Sequence, residues 1–363
     1  MTPVADKIHF KGLNGIRAFA ALAVVLSHIG KELDTYGLPT IHDFAFAGYG
    51  VTVFFSLSGF LITYLLLAEK ENFGKIDIKK FYTRRVFRIW PLYFLYLFVA
   101  ILVTWLYEPQ LLPGTIGWYF FLGANIPYIV TTALIPLVAH YWSLGVEEQF
   151  YLFWPVFIQN AKKALKAVSI FLVIWLILKG ITGLIQWKTG NVVPYMIMQV
   201  TRFDCMALGA LGAILFYQKN PLFLRICFSY PAQIIAWSVW VLIGFRYFHI
   251  ASILDDEIVA ALLVINIVNV SSNPRSIIKL DNKVFDFLGK ISYGIYVIHP
   301  LVIFLLSKCI GQWVDYLPVE ISQLIIFILV LLITIAIAYL SYDKFEKPFL
   351  VFKNRFSKIK STA

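Results

Sequence analysis

The chain has 363 residues, 60% of them hydrophobic and only 14% charged, with a formal net charge of +11. This composition excludes an ordinary soluble domain or a disordered chain and reads as an integral membrane protein. Because the basic residues are distributed by loop parity along an apolar chain, the charge is read as a membrane-insertion signal, and nucleic acid is not an expected partner.

Ten segments are long and apolar enough to cross a bilayer: residues 13–30, 44–68, 88–107, 141–159, 166–186, 199–217, 231–247, 256–270, 287–309 and 321–342. Counted in order, they put the N-terminus, every second connection and the C-terminus on one side. Most Lys and Arg fall on that side, including the 70–88 connection, Lys162, Lys163, Lys166 and the tail from Lys344. The opposite loops hold Lys31 and Lys188, with Asp255, Asp256 and Glu257 among them. The expectation is an all-α multi-pass protein of about ten transmembrane helices with both termini cytoplasmic. Residues 1–348 would form the transmembrane domain and 349–363 a basic cytoplasmic tail. No internal repeat or soluble domain is visible.

The first segment, LNGIRAFAALAVVLSH (13–28), carries Arg17 and His28 eleven residues apart. Eleven positions make almost three helical turns, so both side chains share one face about 16 Å apart. Ionisable residues in an apolar helix are costly unless they face a partner or a wet cavity, so the pair predicts a polar path through a bundle. Lys7 and Lys11 before a short apolar core also fit a signal peptide, but no small-residue cleavage site follows His28.

In the second segment, Gly50, Ser56, Ser58 and Gly59 interrupt a bulky helix, either for close backbone packing or to leave room for a substrate chain. The connection that follows ends in KKFYTRRVFRIWPLY, with Arg84, Arg85 and Arg88 clustered before Pro91 at the entry to the third helix. They are either anchors at anionic headgroups or a bidentate clamp for a phosphate-rich cytosolic ligand. Residues 108–140 hold glycines and prolines among aromatics and are expected to fold back against the membrane as a half-helix.

The fourth segment, HYWSLGVEEQFYLFWP (140–155), places Ser143, Glu147 and Tyr151 on one face by their spacing of four. Glu147 is the carboxylate expected to work, and Glu148 is assigned to the external interface. Arg202 and Asp204 in TRFDCMALGALGA read as a mutual or neighbouring ion pair. His299 in GKISYGIYVIHPL has no charged residue at helical spacing on its own span except Lys308 and reads as a hydrogen-bonded structural histidine. Glu346 before Pro348 reads as structural. Cys205, Cys227 and Cys309 are widely spaced and predict neither a disulfide framework nor a metal site.

Taken in this order, Arg17-x10-His28, FFSLSGFLI, FYTRRVFRIWPLY, WSLGVEEQFYLFWP, TRFDCMALGALGA and GKISYGIYVIHP resemble the membrane-bound acyltransferase-3 family from Leu13 to Pro348. That family includes bacterial O-acetyltransferases of lipopolysaccharide, exopolysaccharide and peptidoglycan. The resemblance implies that Arg17 and His28 are essential to acyl transfer, that Arg84, Arg85 and Arg88 bind the donor, and that Glu147 is the functional carboxylate. One departure is Asn14, where many members have Asp, so Arg17 must find a counter-charge elsewhere. The family's fused extracytoplasmic esterase-like domain is not seen, as in its stand-alone members.

The implied function is O-acyl transfer at the inner (cytoplasmic) membrane. An acyl group, acetyl foremost, would pass from cytosolic acyl-coenzyme A to a hydroxyl of a cell-surface glycan or lipid-linked sugar. The acyl-coenzyme A is a substrate, and no bound cofactor is expected; membrane lipids surround the protein. Arg84, Arg85 and Arg88 would hold the nucleotide phosphates, Arg17 would polarise the thioester or bind a coenzyme A group, and His28 would act as base or as acyl carrier. Glu147 would orient or charge-balance His28. Ser58, Ser143, Tyr151, Arg202, Asp204 and His299 are substrate or accessory candidates. The rival reading is a transporter exporting a sugar, lipid or small acid by the same path, although repeated halves with matching broken helices are not evident.

Overall fold

The computed structural model describes residues 10–41, 46–112, 114–131, 134–311, 316–357 and 359; Lys7 and most of the 358–363 tail lie outside them. The described residues contain no strand. In chain order the helices are α1 (Leu13–Lys31), α2 (Phe46–Phe73), α3 (Ile78–Tyr107), α4 (Ile116–Phe120), α5 (Asn125–Val130), α6 (Tyr141–Asn160), α7 (Ala164–Thr189) and α8 (Val193–Thr201). They continue as α9 (Phe203–Tyr217), α10 (Pro221–Phe228), α11 (Tyr230–Gly244), α12 (Asp255–Ser272), α13 (Lys283–Lys290), α14 (Ser292–Ile310) and α15 (Val319–Leu340). A π-helical stretch, Ser341–Glu346, then leads into α16 (Lys347–Asn354).

Each of the ten apolar segments contains a helix. Among the described residues seven helical stretches are long and apolar enough to cross a membrane, or eight if α10 and α11, bent by 60°, form one broken span. Helices α6 and α12 fall short of that measure because one carries Glu147 and Glu148 at its centre and the other opens on Asp255, Asp256 and Glu257. The burial pattern is inverted relative to a water-soluble protein. The central window of α15, of mean hydropathy 3.0, is only 22% buried within the protein and that of α7 only 11%, whereas that of α2 is 72% buried. Apolar surface left outside protein contacts on this scale calls for hydrocarbon around it.

Helix α2 is the axis of the bundle, packed on α1, α6, α9 and α12. Its crossing with α9 is a glycine pair: a Cβ on Gly59 would stand 2.0 Å from the Met206 carbonyl oxygen, and one on Gly209 1.9 Å from that of Ser56. Only hydrogen fits at either position, so the backbones touch. Ser56, fully buried, donates to the Ala260 carbonyl at 3.3 Å. The Ser-x-Ser-Gly step therefore serves both readings, because Ser56 and Gly59 pack while Ser58 turns to a cavity on another face.

Three boundaries differ from the sequence reading. Helix α3 begins at Ile78, capped by the Asp77 side chain accepting from the Lys80 amide at 3.1 Å, so the arginines ride on the helix and not in a linker before it. The polar run KKFYTRRVFR hid this extension from a hydropathy count. The ninth segment is broken near Ile291, which separates α13 from α14. The described residues of 108–140 form two short helices, α4 and α5, and two 3-10 turns, Pro109–Leu111 and Pro136–Val138, instead of one half-helix. The two helices are pinned by Tyr93 donating to the Tyr119 carbonyl at 2.7 Å and by paired hydrogen bonds between Asn125 and Gln149.

Candidate active site

Helices α1, α2, α3, α6 and α14 enclose a cavity of about 550 Å³, with α16 contributing to its mouth. Arg84, Arg85 and Arg88 all line it, joined by Lys353 from α16 and by Arg17 from α1. Arg84 is held by Glu69 at 3.2 Å and donates from Nη1 to the Phe356 carbonyl at 3.0 Å, which ties the C-terminal segment over the mouth. Phe87 reinforces that tie, with ring centroids 4.8 Å from Phe352 and 6.1 Å from Phe356. The Arg85 guanidinium lies 4.6 Å over the Tyr151 ring, a cation–π contact that keeps its fork in the cavity wall. Five cations face two carboxylates, Glu69 and Glu147, and one of those is already paired.

Further in, Ser143, Glu147 and Tyr151 line the cavity together, as the spacing of four predicts. Glu147 accepts hydrogen bonds from Ser58 on α2 and from Tyr151 on its own helix. Glu147 lines the cavity with Arg17 and hydrogen-bonds Ser58 and Tyr151, not His28, which is outside the lining. Glu148 is not at an external interface: it turns to α3 and accepts from the Trp90 indole at 3.2 Å. Arg17 finds its counter-charge through Asn14. The Arg17 Nη1 donates to Asn14 Oδ1 at 3.3 Å, and Asn14 Nδ2 donates to Asp286 Oδ1 at 3.1 Å. The amide thus relays between a cation on α1 and a carboxylate on α13.

The cavity ends where the Tyr296 hydroxyl meets Ser143 Oγ at 2.6 Å, and His28 is not in its lining. The same tyrosine donates to the His140 carbonyl at 3.1 Å. Three imidazoles cluster at this end. His28 Nδ1 lies 2.8 Å from His299 Nε2, and the His140 ring centroid lies 5.3 Å from that of His299. His28 and His299, expected in different contexts, are therefore direct partners. The helix directions explain the meeting: Arg17 to His28 on α1 and Tyr293 to His299 on α14 run in register, while Tyr151 to His140 runs back along the start of α6. The polar residues of α1 thus fall on either side of the Tyr296–Ser143 contact, with Arg17 in the cavity lining and His28 outside it.

Arg202 and Asp204 do not reach this site. Arg202 sits in the left-handed region (φ 43°) at the break between α8 and α9 and reaches Asp256 at 3.2 Å, the Thr52 hydroxyl at 2.8 Å and the Gly48 carbonyl at 2.9 Å. Asp204, fully buried, pairs with Lys179 at 3.7 Å, and Lys179 also bonds Glu257. The two residues belong to separate ion pairs that lock α2, α7, α9 and α12.

Tyr296, Lys353, His140, Asp286 and Lys179 escaped the sequence reading. Tyr296 and His299 are three residues apart in YVIH, which sets them on one helical face, and Lys179 is a lone cation in the apolar run WLILKGITGL. Nothing local joins Asn14 to Asp286, 272 residues away.

A family model described as an acyltransferase domain, acyltransferase-3, matches residues 10–343. The O-acetyltransferase OatA of Staphylococcus aureus (strain NCTC 8325 / PS 47) is 27% identical over 367 aligned residues, 94% of this chain and 57% of that protein. A protein of S. aureus strain COL provisionally named as an O-acetyltransferase is 29% identical over 373 residues, with the same coverage. The chain spans little more than half the length of these curated relatives. No solved structure matches it significantly.

Proposed function

Because the chain belongs to the membrane acyltransferase-3 family, we propose that it moves an acyl group, acetyl foremost, from cytosolic acyl-coenzyme A to a hydroxyl of a cell-surface glycan. The observation that carries this reading is the cavity. A mouth of clustered arginines and Lys353 leads past Arg17 to a hydroxyl-lined inner end, with a histidine pair immediately beyond. Arginine forks bind phosphate bidentately, so the mouth suits the phosphates of a nucleotide thioester and the narrower interior its pantetheine arm. In this reading the protein crosses the cytoplasmic membrane ten times, with α6 and α12 as the two polar spans, and the arginine mouth faces the cytosol.

The reaction assigns each group a task. The Tyr296–Ser143 contact parts to let the thioester reach His28, whose neutral imidazole takes the proton of the acceptor hydroxyl. The hydroxyl oxygen bonds to the carbonyl carbon, the C–S bond breaks, and the departing thiolate recovers a proton from the imidazolium. Such general base assistance supplies roughly 10² to 10⁴ in rate. Arg17, held by Asn14 about three turns short of His28, binds the coenzyme A part of the donor in the cavity, and Glu147 holds Ser58 and Tyr151 in the cavity wall.

Mass spectrometry of surface glycans from cells with and without the gene tests the proposal. A mass difference of one acetyl group on a defined sugar supports it, and identical glycan profiles from cells that express the protein contradict it.

A further inference from the structure

We infer that His299 is a positioning residue that fixes His28 in the tautomer protonated on Nδ1, so that Nε2 is the nitrogen with a free lone pair. The inference rests on the reading of His28 as the base, but its structural part stands on two contacts. His299 Nδ1 lies 3.3 Å from the Ile295 carbonyl oxygen, one turn back on α14. A carbonyl only accepts, so this nitrogen carries the His299 proton. His299 is fully buried, and among the described residues no carboxylate lies within ion-pairing distance of its ring or that of His28. A neutral imidazole protonated on Nδ1 has its lone pair on Nε2, and that atom faces His28 Nδ1 at 2.8 Å. The nitrogen of His28 therefore donates, and the chain of bonds runs from His28 Nδ1–H to His299 Nε2, then from His299 Nδ1–H to the Ile295 carbonyl. Which nitrogen of a histidine is basic is set by the bond that the other makes.

The arrangement also serves the step that follows. When His28 Nε2 takes the hydroxyl proton, the imidazolium keeps donating from Nδ1 to a neutral acceptor, and that bond strengthens as it becomes charge-assisted. The thiolate leaves with the C–S electron pair and recovers the proton from Nε2, which restores the neutral tautomer. His299 itself gains and loses nothing. His140, whose ring packs against His299, closes the other side of the pair.

The test is nitrogen NMR of ¹⁵N-histidine-labelled protein in nanodiscs, with the His28 resonances assigned by their loss in His28→Ala. The wild type is expected to show a protonated Nδ1 and an unprotonated Nε2 for His28. His299→Leu, which removes the acceptor, should move the proton toward Nε2, lower turnover by roughly 10²-fold or more, and leave acyl-coenzyme A binding unchanged. His299→Gln, which keeps an acceptor oxygen at similar reach, should recover most of the turnover. A wild-type His28 protonated on Nε2 overturns the inference, and so does an unchanged tautomer in His299→Leu. The wild-type spectrum decides the matter even where a variant fails to fold. If His28→Ala keeps its turnover while the tautomer is as described, the assignment of the base fails and the tautomer assignment survives.

Discussion

Lys179 offers the sharpest test of which buried charges belong to the site and which to the framework. Its side chain is 1% exposed and lies between Asp204 and Glu257, themselves almost wholly buried. Replacing it with Met leaves both carboxylates without their cation. At an effective dielectric of 20, the 3.7 Å pair with Asp204 alone corresponds to about 4.5 kcal/mol of lost attraction. That agrees with the roughly 3–5 kcal/mol lost when one partner of a buried pair is removed. Lys179→Met should therefore lower unfolding stability by several kcal/mol, whereas Lys179→Met/Asp204→Asn/Glu257→Gln, with no charge left to compensate, should regain most of it. The assay is the rate of thiol labelling at buried Cys205, in a Cys309→Ser background, across a denaturant series in micelles. Because this network lies off the cavity, the triple variant should also recover acyl transfer. A Lys179→Met protein within about 1 kcal/mol of wild type would refute the electrostatic reasoning. A stable triple variant without activity would show that Asp204 or Glu257 acts in the chemistry.

Arg84, Arg85 and Arg88 changed together to Gln should raise the Kd for acyl-coenzyme A by about 10²-fold or more, since each charged hydrogen bond contributes roughly 1.5–3 kcal/mol. Raised salt should weaken wild-type binding in the same direction, and unchanged affinity in isothermal titration would return the arginines to the role of headgroup anchors. Reporters fused after Lys75 and at the C-terminus should read cytoplasmic, and one inserted at Gly190 external; any reversal breaks the ten-span topology.

The helices were legible because their apolar runs are long, and Ser143, Glu147 and Tyr151 were legible as a face because four-residue spacing repeats within one helix. The three arginines were legible as a cluster, but their place on α3 was not, since the helix start depends on the Asp77 cap and not on hydropathy. What the spacing argument lacks is everything that joins helices far apart in the chain. Arg17 to Asn14 is a local step, but Asn14 to Asp286 is set by the packing of α13 on α1. The same holds for His28 and His299: each has an apolar helix around it, and only the parallel register of α1 and α14 makes them partners. The sequence points to a mutual or neighbouring ion pair at Arg202 and Asp204; each is paired, with Asp256 and Lys179, partners distant in sequence that spacing along the chain does not identify.

In the proposed reaction, donor binding in the cavity and acyl transfer at a histidine beyond its inner end are separable functions. Donor affinity and turnover measured on one nanodisc preparation of His28→Ala, with thermal stability as control, address that separation directly. The expected result is a folded variant that binds acyl-coenzyme A with wild-type affinity and transfers no acyl group. Substantial turnover in that variant, or loss of donor binding from a folded protein, would contradict the separation.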